Sequence, residues 1–417
     1  MSLPKLSLVV ALTAARCLVS SPALAAPEPS LGPFELRSPG GQHALQIGLA
    51  AQVRLTYSDT QPAADAARES SLGAEVRRLR PMLRGSFLSQ RVEMFLHLNT
   101  IPGAIELLDL FGQINLHRQF SLRVGQFKLP YTRYRLQYFT QLTFTDWSIL
   151  SRYLGAERQL GAALHNGYER GSGFEYALGV FSGMNARRAH GVGLGLLYGE
   201  RLANPSDLTA PTSPTTFHPE LALRLGYSSP GLHPETPSDS QRGPARFGVS
   251  FSATYDIRPA RYLDPALRLA PEAQLKLRGL SLHAVGYLAW FQGDSGATDL
   301  RPAFYGVLAQ AGYRLQPGWE LALRYGLLLS SEALRRDAQE RAAVLIAIAS
   351  PEQASAVTGQ YRSAGTLQQD QELLVAINYY LVGNSLKFQL ETGWLRQVSD
   401  AATLDSARVR LQAQVAF

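Results

Sequence analysis

LDLFGQINLH (Leu108–His117) and FSLRVGQFK (Phe120–Lys128) decide the architecture of this chain. In the first, Leu108, Leu110, Gly112, Ile114 and Leu116 alternate with Asp109, Phe111, Gln113, Asn115 and His117. In the second, Phe120, Leu122 and Val124 alternate with Ser121, Arg123 and Gly125. A period of two belongs to a strand with one apolar face and one largely wet face. Pro130 lacks an amide donor and ends the second strand. About 26 residues then pass before alternation resumes at Leu160, Ala162 and Leu164. A connection of that length inside a sheet protein is usually functional or disordered. Its composition argues for order: Tyr131, Tyr134, Tyr138, Phe139, Phe144, Trp147 and Tyr153 stand among Arg133, Arg135 and Arg152. It reads as an ordered loop folded back against the rest of the chain.

The same alternation recurs on both sides, at about 45–57, 75–87, 91–99, 158–165, 173–182, 191–199, 220–228, 246–257, 266–278, 280–291, 303–315, 319–328, 372–381, 385–395 and 407–417. Apolar faces end in Tyr57, Tyr227, Tyr255, Trp290, Tyr305, Tyr313, Trp319, Tyr325, Tyr379 and Trp394, as aromatic girdles at two membrane interfaces require. Short turns at Arg278-Gly279, Gln316–Gly318 and Val382–Asn384 contrast with long connections at about 58–74, 129–157, 229–245 and 329–371, the pattern of short periplasmic turns and long outer loops. An odd number of segments cannot place both termini on one side. The reading is therefore sixteen strands, with 246–257 set aside as an outer ribbon or a poorly paired strand, and eighteen as the alternative: an all-β, antiparallel, up-and-down transmembrane barrel over 43–417. The chain ends on Val409, Leu411, Ala413, Val415 and Phe417 alternating with Arg408, Arg410, Gln412, Gln414 and Ala416. A terminal aromatic closing an amphipathic strand is common in bacterial outer-membrane barrels. Within the 329–371 connection, SEALRRDAQERAAVLIAIA is rich in helix formers and predicts a helix over the outer mouth within 331–361.

Lys5, an apolar run from Leu6 to Ala15, and small residues before Ala26 mark a secretory signal peptide over 1–25, followed by a Pro-rich periplasmic tail at 26–42. The single cysteine, Cys17, lies inside the signal, so the mature chain has no disulfide and no thiolate metal site. No metal-ligand spacing appears and no cofactor is expected. No window holds the ~20 apolar residues of a membrane-spanning helix, and the mean hydropathy of -0.08 suits a barrel in which alternate residues face water.

If the apolar parity meets lipid, the other lines a lumen. On Arg77–Phe87, Leu79, Leu83 and Phe87 point out and Arg78, Arg80 and Arg84 point in. The same rule places Arg54, Arg123, Arg224, Arg246, Arg268, Lys276, Arg278, Arg314, Arg324, Lys387, Arg408 and Arg410 inside, against Glu93, Asp109, Glu175, Glu220, Asp256, Glu272, Glu320, Glu372 and Glu391. The basic excess makes the bore electropositive, and a narrow low-dielectric passage focuses such a field on anions. Arginine predominates, and its planar fork suits phosphate or carboxylate. The alternative for each arginine is cross-strand pairing with a lumen carboxylate.

The runs VRRLRPMLRG (Val76–Gly85), LLDLFGQINL (Leu107–Leu116), LRVGQFKLPYT (Leu122–Thr132), RQLGAAL (Arg158–Leu164), YALGVFSGMN (Tyr176–Asn185) and INYYLVGNSLKFQLE (Ile377–Glu391) resemble the phosphate-selective porin O and P family of Gram-negative outer membranes. The resemblance covers nearly the whole mature chain in order. It implies a sixteen-stranded porin, often a homotrimer, whose third outer loop, here about 131–157, folds into the lumen as a constriction. The nearest counterparts of the family's constriction basics are Arg78 and Arg80 on the wall and Arg133, Arg135 and Arg152 in the loop, with Tyr134, Tyr138 and Trp147 beside them. No lysine lies between Arg133 and Arg152, so the resemblance points to a general porin with an anion preference. The partners it implies are outer-membrane lipid and small anionic solutes.

Two other functions are readable. The loop aromatics would suit a stacking slide in a carbohydrate porin, or they pack against the wall. A barrel hydrolase needs a nucleophile and base oriented by a third group; His97 and His117 face inward by parity but lie in no such context. GVGLGLLYG (Gly191–Gly199) is no phosphate loop, since neither lysine nor helix follows it. The basic residues follow strand parity and form no nucleic-acid patch.

Overall fold

A computed structural model describes residues 31–61, 68–101, 104–117, 119–156, 158–169, 171, 173–182, 219–257, 266–291, 303–315, 318–336, 347, 367–399 and 403–417. A short strand, β1 (Phe34–Arg37), precedes sixteen long ones: β2 (Ala44–Gln61), β3 (Glu69–Phe87), β4 (Val92–Ile101), β5 (Ala104–His117), β6 (Phe120–Lys128), β7 (Arg158–His165), β8 (Gly173–Phe181), β9 (Glu220–Ser228), β10 (Arg246–Asp256), β11 (Leu267–Leu277), β12 (Leu280–Trp290), β13 (Ala303–Arg314), β14 (Trp319–Ser330), β15 (Leu367–Val382), β16 (Leu386–Ser399) and β17 (Thr403–Ala416). Each pairs antiparallel with its sequence neighbour, and β17 closes on β2 from Asp405↔Gln61 to Ala416↔Ala50. β1 pairs with β2 from Phe34↔Ile47 to Arg37↔Ala44, just past the end of β17. The result is a closed sixteen-stranded barrel, which leaves no unpaired sheet edge in lipid.

The apolar parity faces out as expected: Val53, Leu55, Ile114, Leu321, Leu323, Val409 and Leu411 are all exposed. Tyr57, Tyr255, Trp290, Tyr305, Tyr325 and Trp394 lie toward one end of the wall, and Tyr227 and Trp319 toward the other, giving the two girdles. No helix among the described residues is long and apolar enough to cross a membrane; the strands supply the apolar band. The terminal Phe417 exchanges backbone bonds with Leu49 at 3.0 and 3.1 Å and meets the Phe34 ring edge-on at 5.6 Å. At the Arg278-Gly279 turn both residues have positive φ, 48° and 95°, the mirror-image turn that matches strand twist and favours glycine at its second position.

The strand count agrees with the sequence reading, but the segment assigned outside the barrel was the wrong one. β10 is a full member, paired with β9 and β11. β8 pairs directly with β9 from Gly173↔Ser228 to Phe181↔Glu220, so the ladder closes without 191–199, which lies outside the described residues. The correction moves the 229–245 connection to the end that carries the short turns and both ends of the described chain, the side the sequence reading assigns to the periplasm. The other long connections remain at the outer end, and of 331–361 only 331–336 and 347 are described, with 332–336 and 347 helical.

Register irregularities account for the remaining differences. A bulge between Gln52 and Val53 leaves Arg77 as an extra residue on β3. A second, between His97 and Leu98, buries Leu108, which parity assigns to the lipid face. Arg278 is exposed in its turn, and His117 is exposed at the end of β5 beside Phe120; neither lines the lumen.

Candidate functional site

Pro130 ends β6, and the chain turns into the bore. Thr132 caps a short helix, α1 (Arg133–Leu136), by accepting from Arg135 N at 3.2 Å. A single 3-10 turn (Phe139–Gln141) follows, and then α2 (Ile149–Leu154), capped by Ser148. Side-chain oxygens thus satisfy helix-end amides far from bulk water.

Lumen side chains hold this loop from many sides. Glu272 of β11 accepts from Arg133 N and Tyr134 N, each at 2.7 Å. Arg224 of β9 donates to Tyr131 O at 2.7 Å, while Arg133 pairs with Glu175 of β8 at 2.5 Å. Lys387 of β16 donates to Thr140 O and Leu142 O, both at 2.8 Å, and Asn378 of β15 to Thr143 O at 2.8 Å. Glu391 accepts from Thr145 N and Oγ1 at 3.0 and 2.9 Å. Tyr153 Oη donates to Asp370 at 3.0 Å. Because these strands lie around the barrel, the loop spans the bore and obstructs it. α2 approaches the wall closely at Gly306 on β13: a Cβ there would lie 2.9 Å from Leu150 and from Leu154.

Asp146 is the loop's electrostatic anchor. Its carboxylate takes Arg78 at 2.7 Å, Arg77 at 3.0 Å and Arg54 at 3.3 Å. Burial pushes this carboxyl up, but Arg78, Arg77, Arg54 and Arg410 outweigh it and hold the group well below the usual carboxylate range. Beside it, the Trp147 ring lies 4.6 Å from the Arg135 guanidinium, 5.2 Å from Lys128 Nζ and 5.3 Å from Arg78. The Phe139 ring lies 4.6 Å from Arg80. Aromatic faces attract cations, so these rings gather positive charge at the narrowing. Arg77, Arg80, Lys128, Tyr138, Asp146, Trp147, Arg408 and Arg410 are half-buried; Lys128 Nζ donates to Arg135 O at 3.0 Å, and Arg408 and Arg410 lie 3.3 and 3.5 Å from Glu391.

The sequence-selected residues divide into two groups. Arg54, Arg78, Arg224, Arg324 and Lys387 are buried and bond the loop; Arg324 reaches Tyr134 Oη, Asp146 O and Glu372. Arg268 pairs with Glu220 at 2.7 Å, and Arg123 with Glu169 at 2.9 Å. Both arginines are thus paired with a carboxylate, though not across adjacent strands: Glu220 lies two strands away on β9, and Glu169 lies in the turn between β7 and β8. Arg80 and Arg84 differ: Arg80 donates to Asn99 at 3.2 Å and Arg84 lies 5.1 Å from the Phe95 ring, with no carboxylate in ion-pair range of either among the described residues. Tyr134 is buried; the Arg152 side chain lies outside what the structure describes.

Sequence reasoning missed Arg77, Asp146, Lys128 and Arg158. Arg77 was legible in principle: exposed apolar positions run Leu72 and Val76, then Leu83 and Phe87, a change of parity that marks an inserted residue. Asp146 had no such signal, since a loop has no parity. His97 is fully buried, 2.8 Å from Asp109, which is also paired to Arg158 at 2.8 Å. Its other nitrogen lies 3.2 Å from Tyr138 Oη. The triplet ends on a loop tyrosine, and so it positions the loop.

No family model and no curated protein matches the sequence. The fold does match solved structures. The outer-membrane channel DcaP of Acinetobacter baumannii aligns at TM-score 0.54 and 12% identity, over 93% of this chain and 100% of that one. The anion-selective porin from Comamonas acidovorans aligns at 0.54 and 10%, over 90% and 100%. Pseudomonas putida OprB aligns at 0.54 and 9%, over 89% and 94%. At these identities the likeness is one of fold: the chain forms a closed sixteen-stranded β-barrel of the architecture these outer-membrane channels and porins share.

Proposed function

We propose that the protein is a non-enzymatic porin that lets small solutes diffuse through the outer membrane with a preference for phosphate-like and carboxylate anions. One observation carries the preference. Around the loop, Arg77, Arg80, Lys128, Arg408 and Arg410 are half-buried, with Arg408 and Arg410 sharing the buried Glu391, while Asp146 is the only half-buried carboxylate of the loop itself among the described residues. That carboxylate is shared among three arginines. A low-dielectric passage edged this way attracts anions and opposes cations. The resemblance to the O and P porins supports the same reading and a homotrimer, with signal peptide 1–25 removed.

Reversal potentials of the reconstituted protein across a potassium chloride gradient test the sign, and a cation preference overturns it. The carbohydrate alternative has less to stand on: Tyr131, Tyr134, Phe139, Phe144 and Tyr153 are buried, leaving Tyr138 and Trp147 as the half-buried rings of the loop.

A further inference from the structure

The 229–245 connection joins β9 to β10 at the end of the barrel where the other turns are short, yet much of it is withdrawn from solvent. Leu232 and Asp239 are each 1% exposed, and Pro234, Pro237 and Ser238 are buried with them. A connection lying on the surface exposes its backbone and buries few side chains. Five buried residues within 232–239 instead require protein on several sides.

Side chains of the inward parity supply that surrounding. Leu232 lies over Gly248 of β10, where an added Cβ would be 2.8 Å from Leu232 Cδ2. Lys276 of β11 donates to His233 O at 2.7 Å and Thr236 O at 2.6 Å, so two backbone carbonyls carried out of water keep a donor. Asp239 accepts from Arg246 at 2.5 Å and from Gly279 N, in the β11–β12 turn, at 2.8 Å. Arg242 donates to Arg314 O at the end of β13. Pro234 presses on the β7–β8 turn, 2.5 Å from where a Cβ on Gly171 would stand. The seat therefore runs from the β7–β8 turn to β13. On its far side, Thr236, Ser238 and Ser240 line a cavity of about 360 Å³ together with Tyr138 and Thr140 of the outer loop and Met82 of β3. β3 stands seven strands from β10 in the ring of sixteen, close to diametrically opposite. The segment thus reaches far enough across the mouth to share a cavity with the opposite wall.

We propose that 229–245 is a second constriction, in series with the outer loop, that limits passage at the short-turn end of the bore. The charges at its seat are spent on holding it: Lys276 on backbone carbonyls, Arg246 on Asp239. It therefore restricts size and flow, and the ion preference stays with the outer loop. The constriction rests on the porin reading for a current to limit, and the sign of the ion preference tests that reading separately.

Planar-bilayer recordings of the full-length protein in potassium chloride test it. β9 and β10 are paired as far as Ser228↔Gly248, so a short link can close the hairpin. Replacing Pro234–Ser240 with Gly-Ser-Gly is expected to raise single-channel conductance about twofold, because two comparable narrowings in series each hold about half of the resistance, and to leave the reversal potential unmoved. Where that variant fails to fold, Ser240→Cys decides, in a chain whose one native cysteine carries Cys17→Ser. A sulfonate-bearing thiol reagent then adds bulk beside the cavity and is expected to lower the conductance. A shortened variant that conducts no better than the parent, no current in either included, overturns the proposal, as does a thiol that the reagent does not reach or whose modification leaves the current unchanged. A cation preference in a parent whose shortened variant shows the rise overturns the anion reading and leaves the constriction standing.

Discussion

Arg78 on the wall and Asp146 in the loop lie 2.7 Å apart, and through this pair the strand that carries the arginine row grips the segment that narrows the bore. The same carboxylate holds Arg77 and Arg54, so the residue that fixes the constriction also subtracts from its positive charge. Asp146→Asn is therefore expected to do two things at once. Anion preference in reversal-potential measurements rises, because three guanidinium groups lose their shared counter-charge, and open-channel noise rises as the loop loosens. Arg78→Gln removes one of three contacts and should loosen the loop less.

The pH dependence follows from the depressed carboxyl of Asp146. Burial alone raises it, and the field of Arg78, Arg77, Arg54 and Arg410 more than reverses this. The anchoring free energy is thus fully present above the unfolded-state value of about 3.9 and is lost only as pH falls through the lower folded value. Single-channel conductance from pH 5 to 8 should show no step assignable to Asp146, so that the parent and Asp146→Asn differ by a constant offset. A step in that range present in the parent and absent from the variant would contradict this.

Arg80 and Arg268 should respond in opposite ways to the same substitution. Arg80→Gln removes a half-buried charge that has Asn99 as its hydrogen-bond partner, so the barrel should fold normally while anion preference drops. Arg268→Gln takes its arginine from Glu220, which is 1% exposed and keeps only the neutral amide of Gln159 among its described donors, and removing one partner of a buried pair costs about 3–5 kcal/mol. Heat-modified mobility on gels should report a less stable barrel for the second variant and an unchanged one for the first.

Gly306 sets how closely α2 approaches the wall. Gly306→Val places atoms where Leu150 and Leu154 now stand, 2.9 Å from an added Cβ. Overpacking of this kind costs about 1–3 kcal/mol. Because the loop can give way more easily than the sheet, the expected result is a displaced α2 and an altered conductance, with barrel stability little changed.

Deleting Phe417 removes two backbone bonds to Leu49 and the edge-on contact with Phe34. An aromatic pair contributes about 0.5–1.5 kcal/mol beyond its buried area. Slower barrel closure in a refolding time course is the expected outcome, with the final fold retained.

Alternation in the sequence determined the architecture, because a wall with lipid on one face and water on the other forces period two on nearly every strand. It therefore gave the sixteen strands, the outward girdles and the inward arginines, and the length and aromatic content of 129–157 marked the loop. Periodicity could not choose between 191–199 and 246–257, since both alternate; that choice belongs to strand pairing, which is long-range. Nor could it show Asp146 as the anchor, or 229–245 as a segment at the same end as the short turns. Those depend on which side chains meet across the bore, and a loop carries no parity from which such meetings can be read. Most of the arginines that parity turned inward became structural for the same reason: a charge taken out of water must find a partner, and only the folded chain decides which of them border the opening.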